Sequence, residues 1–87
     1  MSVFILYSKS GCYDCERAKE LLKREKHILI NCDQLINVNR NEFIKSMELK
    51  TKQPFKQFPL IFLDDNFIGG YNDLLLYLTF EIDENNF

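Results

Sequence analysis

Five consecutive apolar residues, Val3-Phe4-Ile5-Leu6-Tyr7, stand near the start of the chain and leave no polar face along their length. A run with that pattern suits a central strand covered on both faces, with helices above and below the sheet. The polar loop Ser8 to Gly11 follows, and Gly11 lets the backbone turn tightly. Then comes Cys12-Tyr13-Asp14-Cys15, leading into Glu16-Arg17-Ala18-Lys19-Glu20-Leu21-Leu22-Lys23. That segment reads as an amphipathic helix from about Tyr13 to Lys26. Cys15, Ala18 and Leu22, with Leu21 beside them, form its buried stripe. On this spacing Cys15 points inward, while Cys12, at or before the first turn, stays exposed.

Two cysteines separated by two residues, where a strand gives way to a helix, form a redox-active dithiol more often than anything else. Unpaired N–H groups and the positive end of the helix dipole favour a thiolate there, and the thiolate is the nucleophile. The chain has three cysteines, an odd number, and two of them are too close together to staple a fold. A secreted disulfide framework fits that pattern poorly, and a reducing, cytoplasmic setting fits it better. Cys32 reads as a small buried hydrophobe.

The 87 residues are expected to form one small domain, spanning 1–87. With 46% hydrophobic and 28% charged residues the composition is that of an ordinary soluble globular protein. No apolar run approaches the roughly 20 residues of a membrane helix. Met1-Ser2-Val3 lacks the basic region that opens a signal peptide. A net charge of −2 without a basic cluster gives no support for nucleic-acid binding. The expected species is a monomer.

Ile28 to Cys32 reads as a second strand, parallel to the first because one helix joins them. Asp33 to Asn39 is a polar connection, partly anchored by Leu35, Ile36 and Val38. Asn39 with Glu42 forms a capping pair for a helix that turns Phe43, Ile44 and Met47 inward and ends near Leu49, although Asn41 competes as the cap. Lys50 to Gln57 is a loop broken by Pro54. Leu60 to Leu63, the turn Asp64-Asp65-Asn66 and Phe67 to Gly69 read as a hairpin. Gly69-Gly70 marks unusual dihedrals or a close backbone approach. Asn72 can cap a last helix from Asp73 to about Phe80, and the acidic and amide-rich stretch from Glu81 to Phe87 reads as a loose tail.

Three segments together carry a resemblance: Tyr7 to Cys15, Phe58-Pro59-Leu60-Ile61-Phe62, and Gly69-Gly70-Tyr71-Asn72-Asp73-Leu74. In type and separation they are similar to those of the glutaredoxins, over nearly the whole chain. The resemblance implies an α/β, thioredoxin/glutaredoxin-like fold: a four-stranded mixed sheet with helices on both faces, in the order strand, helix, strand, helix, strand, strand, helix. It also implies a glutathione-dependent thiol–disulfide oxidoreductase. Its partners would be glutathione as co-substrate and disulfide-containing or glutathionylated proteins, with electron donation to a ribonucleotide reductase as one such role.

By the same resemblance Cys12 is the nucleophile and Cys15 the resolving thiol. Lys9 matches a position that pairs with a carboxylate of glutathione, and Lys56 stands where many members carry Arg, acting here as a point charge. Pro59 matches a cis-proline that leaves the backbone of Phe58 free to pair with an extended peptide. Gly70, Tyr71, Asn72 and Asp73 match the segment that holds the γ-glutamyl end. Two departures stand out. Glutaredoxins commonly have Pro then Tyr between the cysteines, where this chain has Tyr13 then Asp14; Tyr13 is placed to pack on glutathione from the other side. Asp14 puts a carboxylate beside the nucleophile, which opposes thiolate formation. Phe58 replaces a small β-branched residue and narrows the groove.

Other readings of the same residues stay open. One is a thioredoxin-like donor recycled by a flavoprotein reductase instead of glutathione. Another is a metal-binding module: a zinc set of Cys12, Cys15, His27 and Cys32, or an iron–sulfur cluster shared between two copies through Cys12. The zinc set is disfavoured because His27 and Cys32 fall on opposite faces of one strand, and no metal is expected. A redox-inactive interaction module is disfavoured by the presence of both cysteines.

Overall fold

The computed structural model describes the backbone of residues 2–85 and the side chains of residues 2–80. Its elements in order are β1 (Phe4–Ser8), α1 (Tyr13–Leu21), β2 (His27–Asn31), α2 (Asp33–Val38), α3 (Arg40–Thr51), β3 (Leu60–Leu63), β4 (Asn66–Gly69) and α4 (Tyr71–Asn85). The strands form one sheet in the order β2-β1-β3-β4. Strand β1 pairs in parallel with β2, from Phe4 opposite His27 to Ser8 opposite Asn31. It pairs antiparallel with β3, Phe4 opposite Leu63 and Tyr7 opposite Leu60, and β3 pairs antiparallel with β4.

The alternation of a strand's side chains sorts the core into two layers. Phe4 and Leu6 of β1 and Ile61 of β3 pack with Ala18 and Leu22 from the α1 segment and Leu74 from α4. On the opposite face Ile5 and Tyr7 join Leu60 and Phe62 against Phe43 and Met47 of α3. Cys15 and Cys32 are buried in that second layer, with Phe58 beside them. The four-stranded mixed sheet with helices on both faces is therefore as expected, and so is the central place of β1.

Several boundaries differ from the expectation, each for a local reason. Helix α1 stops at Leu21 and not near Lys26. The amides of Lys23 and Glu25 bond three residues back, to Glu20 and Leu22, which tightens the chain into turns. The charged run Lys23-Arg24-Glu25-Lys26 has no apolar side chain to bury, and the Lys26 carbonyl instead accepts the amide of Phe4. Asp33 to Val38 is a short helix, α2, where a polar connection was expected. Of its apolar residues only Ile36 is half-buried; Leu35 and Val38 face solvent.

Helix α3 begins as the capping pair predicts: the Asn39 side chain accepts the amide of Glu42 at 3.1 Å. Asn41 is not the cap, and the helix runs to Thr51, two residues past Leu49. At α4 the cap is not Asn72. The helix opens at Tyr71, the Gly70 carbonyl accepts the amide of Leu74 at 3.0 Å, and the Asp73 carboxylate reaches back to the Gly70 amide at 3.0 Å. The aspartate supplies the return half of a capping box; Gly70 has no side chain to supply the other half, and its carbonyl makes the ordinary first helical bond. The backbone remains helical through Asn85, so the loose tail expected from Glu81 is helix over 81–85. Residues 86–87 of that stretch lie outside the described residues.

Replacing Asn39 by alanine removes the side-chain acceptor from the first turn of α3. The expected loss is about 1 kcal/mol of unfolding free energy, measured by urea denaturation, with the Cys12–Cys15 chemistry retained.

Candidate active site

Strand β1 ends at Ser8, and Gly11, at φ 73°, turns the loop so that Cys12 arrives as the N-cap of α1. The backbone of Cys12 is extended, and its Sγ accepts the amide hydrogen of Cys15 at 3.2 Å. Cys12 is half-buried, whereas Cys15 is 0% exposed. The two are joined as a disulfide with Cα atoms 5.2 Å apart. Opened, the pair offers one sulfur to solvent and keeps the other beneath it. The Cys15 amide and the first-turn dipole then face the Cys12 sulfur and favour its thiolate.

The loop before Cys12 is held by a residue the sequence reading did not single out. The amide of Ser10 donates to Asp33 Oδ1 at 2.9 Å, and its hydroxyl donates to Asp33 Oδ2. The hydrogen bonds from Ser10 hold the Asp33 carboxyl below the usual carboxylate range, and the charge of Lys9 adds to the effect. Ser10 and Asp33 are 23 residues apart. No local pattern connects them; they meet because β1 and β2 run in parallel and end side by side.

Two adjoining clefts flank the Lys56-Gln57-Phe58 segment. The first, of about 490 Å³, is lined by Cys12, Lys9, Asp33, Arg40, Lys56 and Phe58, among others. The second, of about 400 Å³, is lined by Lys56, Phe58, Pro59, Asp14 and the run Gly70 to Asp73. The Phe58–Pro59 peptide bond is cis. Lys9, Cys12, Lys56 and Phe58 thus meet in one cleft, and Pro59, Gly70, Tyr71, Asn72 and Asp73 meet in its neighbour.

Tyr13 lies in neither. It is 76% exposed, with its ring centroid 5.5 Å from the Arg17 guanidinium. The same guanidinium stacks over Tyr71 at 4.0 Å and pairs with Asp14 at 3.4 Å. Arg17 therefore links the cysteine-bearing helix to the start of α4, a role that its place on the polar face of α1 did not announce. Asp14, expected to weigh on the nucleophile, has this cation as its partner.

Cys32 is fully buried beside Cys15. Burial, reinforced by the neighbouring Asp33 charge, pushes its thiol up to about 11, against a bond from the Ser8 backbone that works the other way. Among the described residues no group of three or more His, Cys, Asp and Glu side chains is gathered as a metal site would need.

A mixed sheet of this topology, carrying a disulfide-forming Cys-x-x-Cys with the first sulfur accessible at a helix N-terminus, defines a thioredoxin-fold thiol–disulfide oxidoreductase. Residues 4–68 match the family model for glutaredoxin, and the chain belongs to that family. It is 27% identical over 81 residues to glutaredoxin 1 of Escherichia coli strain K12, covering 91% of this chain and 95% of that one. The structure of reduced Escherichia coli glutaredoxin superposes with a TM-score of 0.73 at 25% identity, covering 93% of this chain and 98% of that one. The oxidised form gives 0.72 at 26% identity with the same coverage.

A raised thiol pKa in the folded state makes a contribution that is present below the unfolded value of 9.0 and is lost as pH rises through 9 towards about 11. The stability advantage of the reduced wild type over Cys32→Ala should therefore narrow by about 2 kcal/mol between pH 8 and pH 11, measured by denaturant titration. In the reduced protein at pH 7, mass spectrometry after brief alkylation should show Cys12 modified well before Cys32.

Proposed function

We propose that this chain is a glutathione-dependent thiol–disulfide oxidoreductase that acts in a reducing compartment such as the cytoplasm on protein disulfides and glutathionylated proteins. The observation that carries the reading is the opposition of the two sulfurs: Cys12 opens on a cleft that also holds Lys9 and Lys56, and Cys15 is enclosed behind it. The Cys12 thiolate attacks one sulfur of the target disulfide. A Cys12 mixed disulfide forms, and the displaced thiolate takes up a proton. Cys15 then attacks the Cys12 sulfur, releasing the second target thiol and closing the Cys12–Cys15 bond. Two electrons pass from the dithiol to the target, and two glutathiones restore the dithiol while becoming glutathione disulfide.

The glutathione part of the reading is supported by family membership and by the placement of the matched residues. Lys9 and Lys56 supply cations beside Cys12 for carboxylates. Phe58 and the cis-linked Pro59 supply a backbone edge for an extended peptide. Gly70, Tyr71, Asn72 and Asp73 stand at the N-terminus of α4, where the first-turn amides beyond Gly70, whose own amide is taken by Asp73, suit a further carboxylate. Tyr13 lines neither cleft, so its matched role toward glutathione has no support from this placement. Protein targets of the ribonucleotide reductase type use both cysteines, whereas removal of a glutathionyl group uses Cys12 alone.

The deciding measurement is a coupled assay with glutathione, glutathione reductase, NADPH and a small glutathione mixed disulfide. The wild type is expected to turn over, and Cys12→Ser to lose activity by at least about 10³-fold. Cys15→Ser should retain most of this turnover yet lose most protein-disulfide reduction. Recycling by a flavoprotein thioredoxin reductase in place of glutathione would reverse the assignment of the reductant, and equal loss of both activities in Cys15→Ser would reverse the division of labour.

A further inference from the structure

The first cleft extends beyond the residues assigned to glutathione. Past Cys12 and Lys9 it runs along the α2–α3 corner, where Ile36, Arg40 and Ile44 line it. Phe43, Phe55 and Phe58 supply its aromatic lining: the rings of Phe43 and Phe58 stack at 5.8 Å, and Phe55 meets Phe58 edge-on at 5.5 Å. Lys9, Arg40 and Lys56 bring three cations to this wall, and none of them is ion-paired among the described residues. The one carboxylate in the lining, Asp33, has both oxygens engaged by Ser10. A chain of net charge −2 thus presents a cationic wall with a partly exposed apolar floor, Phe55 backed by the buried Phe43 and Phe58, next to its reactive sulfur.

We propose that the α2–α3 end of this cleft is a docking surface for protein substrates whose disulfide is flanked by acidic and apolar residues, with Arg40 as the specificity-determining cation. The proposal rests on the reading of Cys12 as the attacking sulfur and adds to it the chemical class of the segment presented. An apolar side chain covers the half-buried Phe55, Ile36 and Ile44, with the buried rings of Phe43 and Phe58 behind them, while a carboxylate next to it meets Arg40 and Lys9. Arginine suits that position because its planar fork can bind a carboxylate through two parallel hydrogen bonds. Complementary charge of this kind acts first on encounter and on discrimination between partners.

The test is a single-turnover reaction of the pre-reduced protein, which needs no glutathione. The substrates are two synthetic peptides with the same internal disulfide and the same neighbouring phenylalanine, one flanked by glutamates and the other by lysines. In each turnover the Cys12 and Cys15 thiols become a disulfide as the peptide disulfide becomes two thiols. The acidic peptide should react about tenfold faster at low ionic strength, and the ratio should shrink at about 0.5 M salt. Arg40→Glu should remove most of the preference. Arg24→Glu, an equal change in net charge on an exposed residue outside the cleft, should leave it intact.

Equal rates for the two peptides in the wild type would overturn the proposal, whether or not the Arg40 variant folds. Equal effects of the two arginine variants would overturn the role of Arg40. Failure of the glutathione-coupled assay together with a clear peptide preference would instead reject the reductant assignment and leave this surface standing.

Discussion

Strand β1 is paired along both edges and packed on both faces, and the position of the reactive sulfur follows from that confinement. A strand so enclosed has no freedom to slide, because a shift of one residue would exchange its two apolar sets between layers with different partners. Its last residue, Ser8, is therefore a fixed point. Two local features and one long-range contact extend that point to Cys12: the positive φ of Gly11, the first turn of α1, and the grip of Asp33 on Ser10. The placement of Cys12 is inherited from the centre of the sheet rather than built in the loop alone.

The electrostatics around the sulfur divide by direction. Towards α1 it meets the Cys15 amide and the start of a helix dipole. Towards the cleft it shares space with Lys9 and Lys56, while Asp33 is occupied by Ser10 and Asp14 by Arg17. Asp14 is paired with a cation, which reduces the opposition it would offer to a Cys12 thiolate, whereas Asp33 is held ionised by the hydrogen bonds from Ser10 and keeps its negative charge, with Lys9 as its counter-charge. Cys32 shows the contrary case, a thiol deep in the core with a carboxylate next to it in sequence and its ionisation suppressed.

Much of this organisation is legible in the sequence. The unbroken apolar character of Val3 to Tyr7 announces the central strand, the spacing of Cys15, Ala18 and Leu22 announces the inward face of α1, and Asn39 with Glu42 announces the start of α3. These are local patterns with one physical cause each. Where local patterns compete or are absent, the sequence is a poorer guide. Asn72 is a better intrinsic cap than Gly70, but Asp73 reaches the Gly70 amide and moves the helix start. The segment Asp33 to Val38 offers too little periodicity to declare a helix. Arg17, Asp33 and Arg40 look like ordinary polar-face residues, and only the packing of α1 on α4 and the parallel pairing of β1 with β2 bring out their positions near the cleft.

The meeting of Gly69 and Asp73 ties two parts of the chain together. Gly69 sits at φ 135°, and a side-chain carbon there would land on the Asp73 carboxyl group and its Cβ. Each position therefore restricts the other: the hairpin must end in a residue without a side chain as long as α4 opens with this aspartate reaching backwards. A lineage that lengthened residue 69 would have to shorten or redirect residue 73 in the same step, and would surrender the Gly70 return bond in doing so. The two sites are expected to drift as a pair, not singly, so the rim of the second cleft should change more slowly than its solvent exposure alone would suggest.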